Sequence, residues 1–278
     1  MGANSRQFVV DVDGQEVHVP RKRVRKDKTG GSATTREKFA EEKVFNAMPF
    51  TPVGDAQKLG AYYLQEGRKI VALQGPAGGG KSILAAWHAA NLLREKSIHK
   101  LFLVRPYESC GRTIGAVPGT ENEKLAVIFT SILEHLSKFL GKAQLAYMLE
   151  KKVIEFKSVE WLRGYSFEDG VFVLCEEAQG FDTDLMQMMT TRVGDGAQLC
   201  LTGDWRQKDI RKETGLLYLS QLLEAIKVNP PKFLDKEDIY ELENNIGFVN
   251  FTFEDSGRRS KLTKALVKAF YFEKENKQ

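Results

Sequence analysis

The sequence has few cysteines and no long hydrophobic run, and both shortages narrow the class of protein. Its three cysteines among 278 residues, Cys110, Cys175 and Cys200, form no CxxC motif and cannot all pair with one another. Cys175 and Cys200 lie in apolar stretches and are predicted to be buried thiols, which favours a reducing, cytoplasmic compartment. No apolar run approaches the roughly 18 residues of a membrane span, and the N-terminus lacks the apolar core of a secretory signal. We therefore expect no membrane partner.

Charge of one sign is also scarce, because 41 Lys and Arg residues nearly balance 37 Asp and Glu residues and leave a formal net charge of +4. The excess is concentrated in residues 21–28, RKRVRKDK, which carry six positive charges and one negative charge. The rest of the chain is close to neutral, so its net charge is weak evidence for bound nucleic acid. The four histidines are scattered, without the spacing of metal ligands.

Apolar–polar alternation around Asp13-Gly14 predicts a short β-hairpin near the N-terminus. The basic residues 21–28 and a Gly/Ser/Thr-rich stretch come next and predict a flexible arm or linker. Two interpretations of the basic residues stay open: they contact nucleic-acid phosphates, or they only keep the chain in solution. We expect two units, a hairpin with its arm at 1–33 and a single domain at 34–278.

Short runs of Val, Ile, Leu and Phe alternate with helical segments through most of the chain. This alternation predicts an α/β fold with a parallel sheet that helices cover on both faces. Residues 121–150 are expected to contain one or two helices. The other strands are expected at 69–75, 100–104, 153–156, 171–177, 197–203 and 246–251, and the other helices at 35–47, 55–67, 81–96, 183–192, 214–226 and 260–272.

A glycine-rich motif, GPAGGGKS, follows one of these strands and opens a helix. It matches the phosphate-binding pattern GxxxxGK[ST], in which glycines let backbone N–H groups face phosphates and the helix N-terminus adds a positive dipole. Lys81 is expected to reach the β- and γ-phosphates of ATP, and the Ser82 hydroxyl to bind Mg²⁺. The alternative is a glycine-rich turn before a helix. The motif consists of Gly75, Pro76, Ala77, Gly78, Gly79, Gly80, Lys81 and Ser82.

Two carboxylates, Glu176 and Glu177, end the apolar strand VFVLC. The carboxyl ends of parallel strands face one crevice, so we expect both carboxylates beside the phosphate loop. Glu176 is predicted to hold Mg²⁺, and Glu177 to orient or deprotonate the attacking water. Two acids after a strand are otherwise typical of a solvated loop. The metal position more often holds Asp, so the longer Glu176 bears on catalytic efficiency rather than on nucleotide binding.

A third strand, LCLTG, runs into the polar turn GDWRQ. Asp204 and Gln207 of this turn are predicted to lie at the same crevice, sense the γ-phosphate and pass its loss to a ligand-binding surface. The alternative is a purely structural turn. The order of the three elements along the chain favours the functional interpretation.

These three elements, GPAGGGKS, LCEEAQ and TGDWRQ, resemble motifs I, II and III of superfamily 1 helicases, and more closely the PhoH family of ATPases. Further stretches carry the same resemblance, among them VRPYESCGRTIGAVPG, WLRGYSF, KETGL and EDSGRRS. The similar region runs from about residue 50 to residue 272. The resemblance implies a RecA-like core that hydrolyses ATP with Mg²⁺, a link to RNA and helicase-like activity. Short single-domain versions of the family are common in bacteriophages.

Two further roles are implied by the resemblance alone. Gln57 is similar to the glutamine that contacts the adenine edge, for which an amide offers both a donor and an acceptor. Arg258 is similar to the arginine finger, with Arg259 as the second choice, because arginine carries a permanent charge and a fork that matches phosphate oxygens. The alternatives are a surface glutamine and a surface arginine pair. Ser260 replaces the proline common in relatives.

The length of the chain leaves room for one RecA-like domain, whereas superfamily 1 helicases hold ATP between two. A finger that completes the site would therefore come from a neighbouring subunit. Such a head-to-tail contact closes into a ring or continues as a filament. We expect a homo-oligomeric ring, a hexamer by resemblance, with Arg258 supplied in trans.

A nucleic-acid surface is expected beside the ATP site. Arg105 and Arg112 supply charge near the second core strand, and Arg163 lies between the aromatic residues Trp161 and Tyr165. Charge combined with a stacking surface suits a single strand of RNA or DNA. The alternative is a solvated face with core aromatics.

Three functions compete at this point. The first is an ATPase coupled to RNA or single-stranded nucleic acid. The second is a slow or non-hydrolysing assembly protein that is switched by the nucleotide. The third is a P-loop kinase, against which the GDxxQ turn and the lack of an obvious lid both argue.

Overall fold

The computed structural model describes residues 48–106, 128–208, 210, 212–255 and 260–275, together with two short N-terminal strands. These strands, β1 (Val9–Val10) and β2 (Glu16–Val17), pair in antiparallel fashion, so the predicted hairpin is confirmed. Several predictions fall outside the described residues: the arm 21–28, the helix 35–47, and the positions of Cys110, Arg112, Arg258 and Arg259.

The core is a six-stranded sheet in which every neighbouring pair is parallel, as the alternation of strands and helices predicts. The strands are β3 (Ile70–Gln74), β4 (Lys100–Arg105), β5 (Ile154–Ser158), β6 (Val171–Cys175), β7 (Gln198–Gly203) and β8 (Ile246–Asn250). Their spatial order is β5-β4-β6-β7-β3-β8. One strand, β7, therefore separates the phosphate-loop strand β3 from the acidic strand β6, which is the RecA-like order.

Helices cover both faces of the sheet, because the central strands are apolar on both faces. Val71 and Leu73 of β3 pack against the first four helices, whereas Ile70 and Ala72 face the next two. Both predicted buried thiols, Cys175 and Cys200, are confirmed. The helices are α1 (Asp55–Glu66), α2 (Lys81–Arg94), α3 (Thr130–Leu140), α4 (Lys142–Glu150), α5 (Thr183–Thr190), α6 (Gly215–Val228), α7 (Lys236–Asn245) and α8 (Lys261–Glu275).

The helix α7 is absent from the sequence-based expectation. None of its residues is buried, and the partly buried pair Ile239 and Leu242 forms only a short apolar stripe to indicate a helix. It begins instead at a capping box, in which Asp235 and Asp238 exchange side-chain and backbone hydrogen bonds. Within the described residues, no helix is both long enough and apolar enough to cross a membrane.

Candidate functional site

A cavity of about 790 Å³ opens at the carboxyl ends of β3, β6 and β7. This is the edge at which open α/β sheets bind ligands. One part of its wall comes from the phosphate loop and the two polar strand ends, and another from α1 and α3. The polar part includes Ala77, Gly78, Gly80, Lys81, Ser82, Glu177, Gln179, Asp204 and Gln207.

The phosphate loop requires glycine at particular positions. Gly75 has a φ of 141°, and a Cβ atom there would lie 2.3 Å from the carbonyl oxygen of Phe251. Gly80 has a φ of 87°, and a Cβ atom there would lie 2.4 Å from Nε2 of Gln57. Side chains rarely adopt such positive φ angles. The loop therefore wraps tightly between β8 and α1.

Lys81 lies under this loop at the first position of α2. Its Nζ donates to the carbonyl oxygens of Gly75 at 2.6 Å and Pro76 at 2.9 Å. The positive end of the α2 dipole lies at the same place. A fixed cation and a helix N-terminus at the mouth of a glycine loop form a binding site for a chain of phosphates.

Glu176 is buried, with 6% of its surface exposed, and accepts a hydrogen bond from the Ser82 side chain. Burial raises the pKa of this carboxyl, although the Ser82 hydrogen bond and the charge of Arg105 act in the opposite direction. A hydroxyl and a carboxylate held together behind a phosphate loop are hard oxygen ligands, which fit Mg²⁺. Ser82 and Glu176 therefore lie together, as the two motifs predict.

The buried carboxylate leads to a stability prediction. Replacing Glu176 with Gln keeps an oxygen for Ser82 and removes a charge whose burial costs free energy. The variant without ligands should therefore unfold at a higher temperature than the wild type at pH 8. The gain should disappear as the pH falls through the raised pKa, where the wild-type carboxyl becomes neutral.

Thermal unfolding at pH 8 and pH 4 measures this difference. Glu168→Gln, at an exposed carboxyl, is the control and should change neither midpoint. If the unfolding midpoint of Glu176→Gln at pH 8 were equal to or lower than that of the wild type, the claim that this buried charge destabilises the protein would be wrong.

Glu177 lies beside the cavity in a left-handed backbone conformation, with a φ of 55°. One carboxylate oxygen lies 3.4 Å from a guanidinium nitrogen of Arg105, and the other accepts from Nε2 of Gln179 at 2.5 Å. Both oxygens are therefore positioned by neighbouring side chains. About half of the Glu177 side chain, 46%, remains exposed. This exposure allows the carboxylate to contact a water molecule in the cavity.

Asp204 is buried and organises the polar turn after β7. Its Oδ1 accepts from the Arg206 backbone N–H at 3.1 Å, and its Oδ2 accepts from Nε2 of Gln207 at 2.6 Å. The Tyr271 hydroxyl donates to the same Oδ2. Asp204 thus holds the Gln207 amide by a hydrogen bond, and both residues line the cavity as predicted.

Gln179 connects the acidic strand end to this turn. Its Oε1 accepts from the Asp204 backbone N–H at 3.1 Å, while its Nε2 binds Glu177. The motif LCEEAQ contains this glutamine, but the sequence pattern alone predicts no role for it. The available signal is a polar side chain four residues after the buried strand β6, and the structure shows that Gln179 is 8% exposed.

The far end of the cavity contains Gln57. Its Nε2 donates to the Gly79 carbonyl oxygen at 2.7 Å and its Oε1 accepts from the Val53 N–H at 3.0 Å, so this amide already braces the loop. Contact with adenine remains a prediction. His135 of α3 also lines the cavity, and burial lowers the pKa of its imidazole. The sequence alone shows it as one of four scattered histidines.

The predicted nucleic-acid residues that the structure describes differ in their exposure. Arg105 is largely buried against Glu177, and its guanidinium also donates to the Ile128 carbonyl oxygen. Trp161 and Arg163 follow the carboxyl end of the edge strand β5 and are exposed, Trp161 by 50%. Their role in binding nucleic acid remains a prediction.

Comparison with known proteins identifies relatives along most of the chain. The chain is 32% identical over 167 residues to a PhoH-like protein of Bacillus subtilis, covering 59% of this chain and 52% of that protein. It is 28% identical over 201 residues to protein PhoH of Escherichia coli K12, covering 71% and 52%. The chain therefore spans about half the length of these relatives.

Among solved structures, the large terminase of a thermophilic bacteriophage aligns with a TM-score of 0.45 and 13% identity, covering 80% of this chain and 52% of that chain. The family model described as PhoH-like protein matches residues 50–270, which include the phosphate loop, both glutamates and the Asp204 turn. The chain therefore belongs to the PhoH-like protein family.

Proposed function

We propose that the protein binds ATP in this cavity and hydrolyses it to ADP and phosphate. The proposal rests on one observation: three elements of the site meet at the same edge of the sheet. The phosphate loop with Lys81, the Ser82–Glu176 pair, and the Glu177–Gln179 pair all meet there. Each element alone also occurs in structural loops, but together they supply phosphate binding, a metal position and a base.

The proposed mechanism assigns one role to each group. Loop N–H groups and Lys81 bind the phosphates, and Ser82 and Glu176 would hold Mg²⁺, which neutralises phosphate charge when bound. Glu177 orients the attacking water and accepts its proton, with its carboxylate held by Gln179 and Arg105. Asp204 and Gln207 sense the terminal phosphate.

The wider context is also proposed. We divide the chain into a hairpin with a basic arm at 1–33 and one ATPase domain at 34–278, acting in the cytoplasm. The subunits form a ring, a hexamer, in which Arg258 reaches the ATP site of the neighbouring subunit. The ATPase is coupled to RNA or single-stranded DNA in a helicase-like activity, with Trp161 and Arg163 as exposed contacts.

The test is phosphate release from Mg²⁺-ATP by protein whose oligomeric mass has been measured by light scattering. We expect release that RNA or single-stranded DNA accelerates more than duplex DNA, and a mass of six subunits. A lack of release with every nucleic acid would contradict the ATPase. A fully active monomer would contradict the ring.

A nucleotide-switched assembly protein is the second candidate. The buried Glu176 favours it, because a carboxyl with a raised pKa, in a position where Asp is usual, binds a metal less readily. This alternative predicts that ATP assembles subunits while phosphate release stays negligible, with or without RNA. The same assay therefore separates the two candidates.

A further inference from the structure

The last helix, α8, touches the polar turn after β7 through Tyr271. Tyr271 is 6% exposed, whereas the other described side chains of α8 are only partly buried or exposed. Its ring meets the ring of Phe253 edge to face at 4.9 Å, and the guanidinium of Arg206 lies 5.0 Å from its centroid. The ring is thereby fixed, and its hydroxyl points at Asp204.

One oxygen of Asp204 has two side-chain donors at once. Gln207 and Tyr271 both donate to Oδ2, and Gln207 also donates to the Tyr271 hydroxyl oxygen. Asp204 is 4% exposed, so water cannot readily replace a lost donor. A buried acceptor that loses a partner is destabilised by roughly 1–3 kcal/mol, and by more when it is charged.

Gln207 has two competing uses for its amide. It lines the cavity, yet in this structure its Nε2 faces inward to Asp204. When this amide turns from Asp204 to the terminal phosphate of ATP, Oδ2 loses one of its donors. A second donor that stays on Oδ2 reduces the cost of that movement.

We propose that Tyr271 is a positioning residue for hydrolysis, because its hydroxyl keeps the Asp204 carboxylate satisfied while Gln207 turns to the terminal phosphate. The inference rests on the proposed ATPase function. It also gives α8 a role, because this helix carries the hydroxyl donor that allows the Gln207 amide to move from Asp204 to the phosphate. Tyr271 lies one residue beyond the stretch 50–270 that matches the family model.

The hydroxyl remains a donor across the working range of pH. Burial and the neighbouring Asp204 both raise the pKa of Tyr271 far above its usual value. Ionisation would place two negative oxygens against each other in a buried site. Tyr271 therefore donates throughout, and the pH dependence of hydrolysis should not contain its titration.

The test uses Tyr271→Phe, which removes the hydroxyl and keeps the ring contacts. We expect kcat to fall about tenfold, the rate equivalent of one lost hydrogen bond of this strength. KM for ATP and the affinity for AMP-PNP, measured by calorimetry, should change less than twofold, because the bond acts after binding. Tyr240→Phe, on the exposed side of α7, is the matched control and should leave kcat unchanged.

A double-mutant cycle separates positioning from simple anchoring of the helix. In a Gln207→Ala background, Tyr271→Phe should cause no further loss of kcat, since no amide is left to turn. A further tenfold loss in that background, or wild-type kcat in Tyr271→Phe alone, would overturn the inference. Retained AMP-PNP affinity shows that the variant is folded. A wild-type protein without hydrolysis would instead overturn the proposed function and this inference with it.

Discussion

Replacing Lys81 with alanine is expected to reduce kcat/KM for ATP by about a hundredfold or more, the scale of removing one preorganised charge partner from a reacting phosphate. The ammonium of Lys81 lies at the mouth of the loop and now donates to the carbonyl oxygens of Gly75 and Pro76. Alanine removes the cation that would meet the β- and γ-phosphates. Both ATP affinity and turnover should therefore fall.

The matched control for this variant is Lys58→Ala. Lys58 is exposed on α1, the helix that also carries Gln57 at the cavity. The control removes the same charge from the neighbouring surface and should retain wild-type kcat/KM. Steady-state phosphate release measures both variants. Equal activity of Lys81→Ala and the wild type would refute the assignment of the phosphate site.

Replacing Glu177 with glutamine is expected to separate binding from hydrolysis. A general base contributes roughly 10²–10⁴-fold to the rate, so phosphate release should fall by at least a hundredfold. The affinity for ATP should stay close to that of the wild type, because Lys81 and the loop are unchanged. Glutamine has nearly the same size and keeps one oxygen that can accept from Gln179 or Arg105, so one of the two contacts remains.

Glu168→Gln provides the comparison, since this carboxyl is exposed and lies before β6 rather than after it. It should hydrolyse ATP at the wild-type rate. Single-turnover measurements report the chemical step, and calorimetry reports binding. If Glu177→Gln hydrolysed ATP normally, another group would have to act on the water.

The sheet and the phosphate site were predictable because their signals are local. Each core strand is a short apolar run, and the loop motif has a fixed spacing that places Lys81 and Ser82 at a helix N-terminus. The pairing of Ser82 with Glu176 follows from the meeting of parallel strands at one edge. Most predicted element bounds agree with the structure to within two residues, because polar turn residues delimit the apolar runs.

Other features depend on contacts between distant parts of the chain. Tyr271 and Asp204 are separated by 67 positions, so no motif spacing relates them. Gln179 is recognisable as a link only when the turn after β7 lies beside it. The apolar stripe of α7 is also short, and none of the side chains of this helix is buried. Partners of this kind become visible only once the topology brings the strand ends together.

The most direct test of the account is a crystal structure of Glu177→Gln grown with ATP and Mg²⁺. The account predicts intact ATP in the cavity, with its phosphates within the loop 75–82, Lys81 on the terminal phosphates, and Mg²⁺ beside Ser82 and Glu176. ATP bound elsewhere, or a loop that stays closed on Lys81 at saturating ATP, would contradict it.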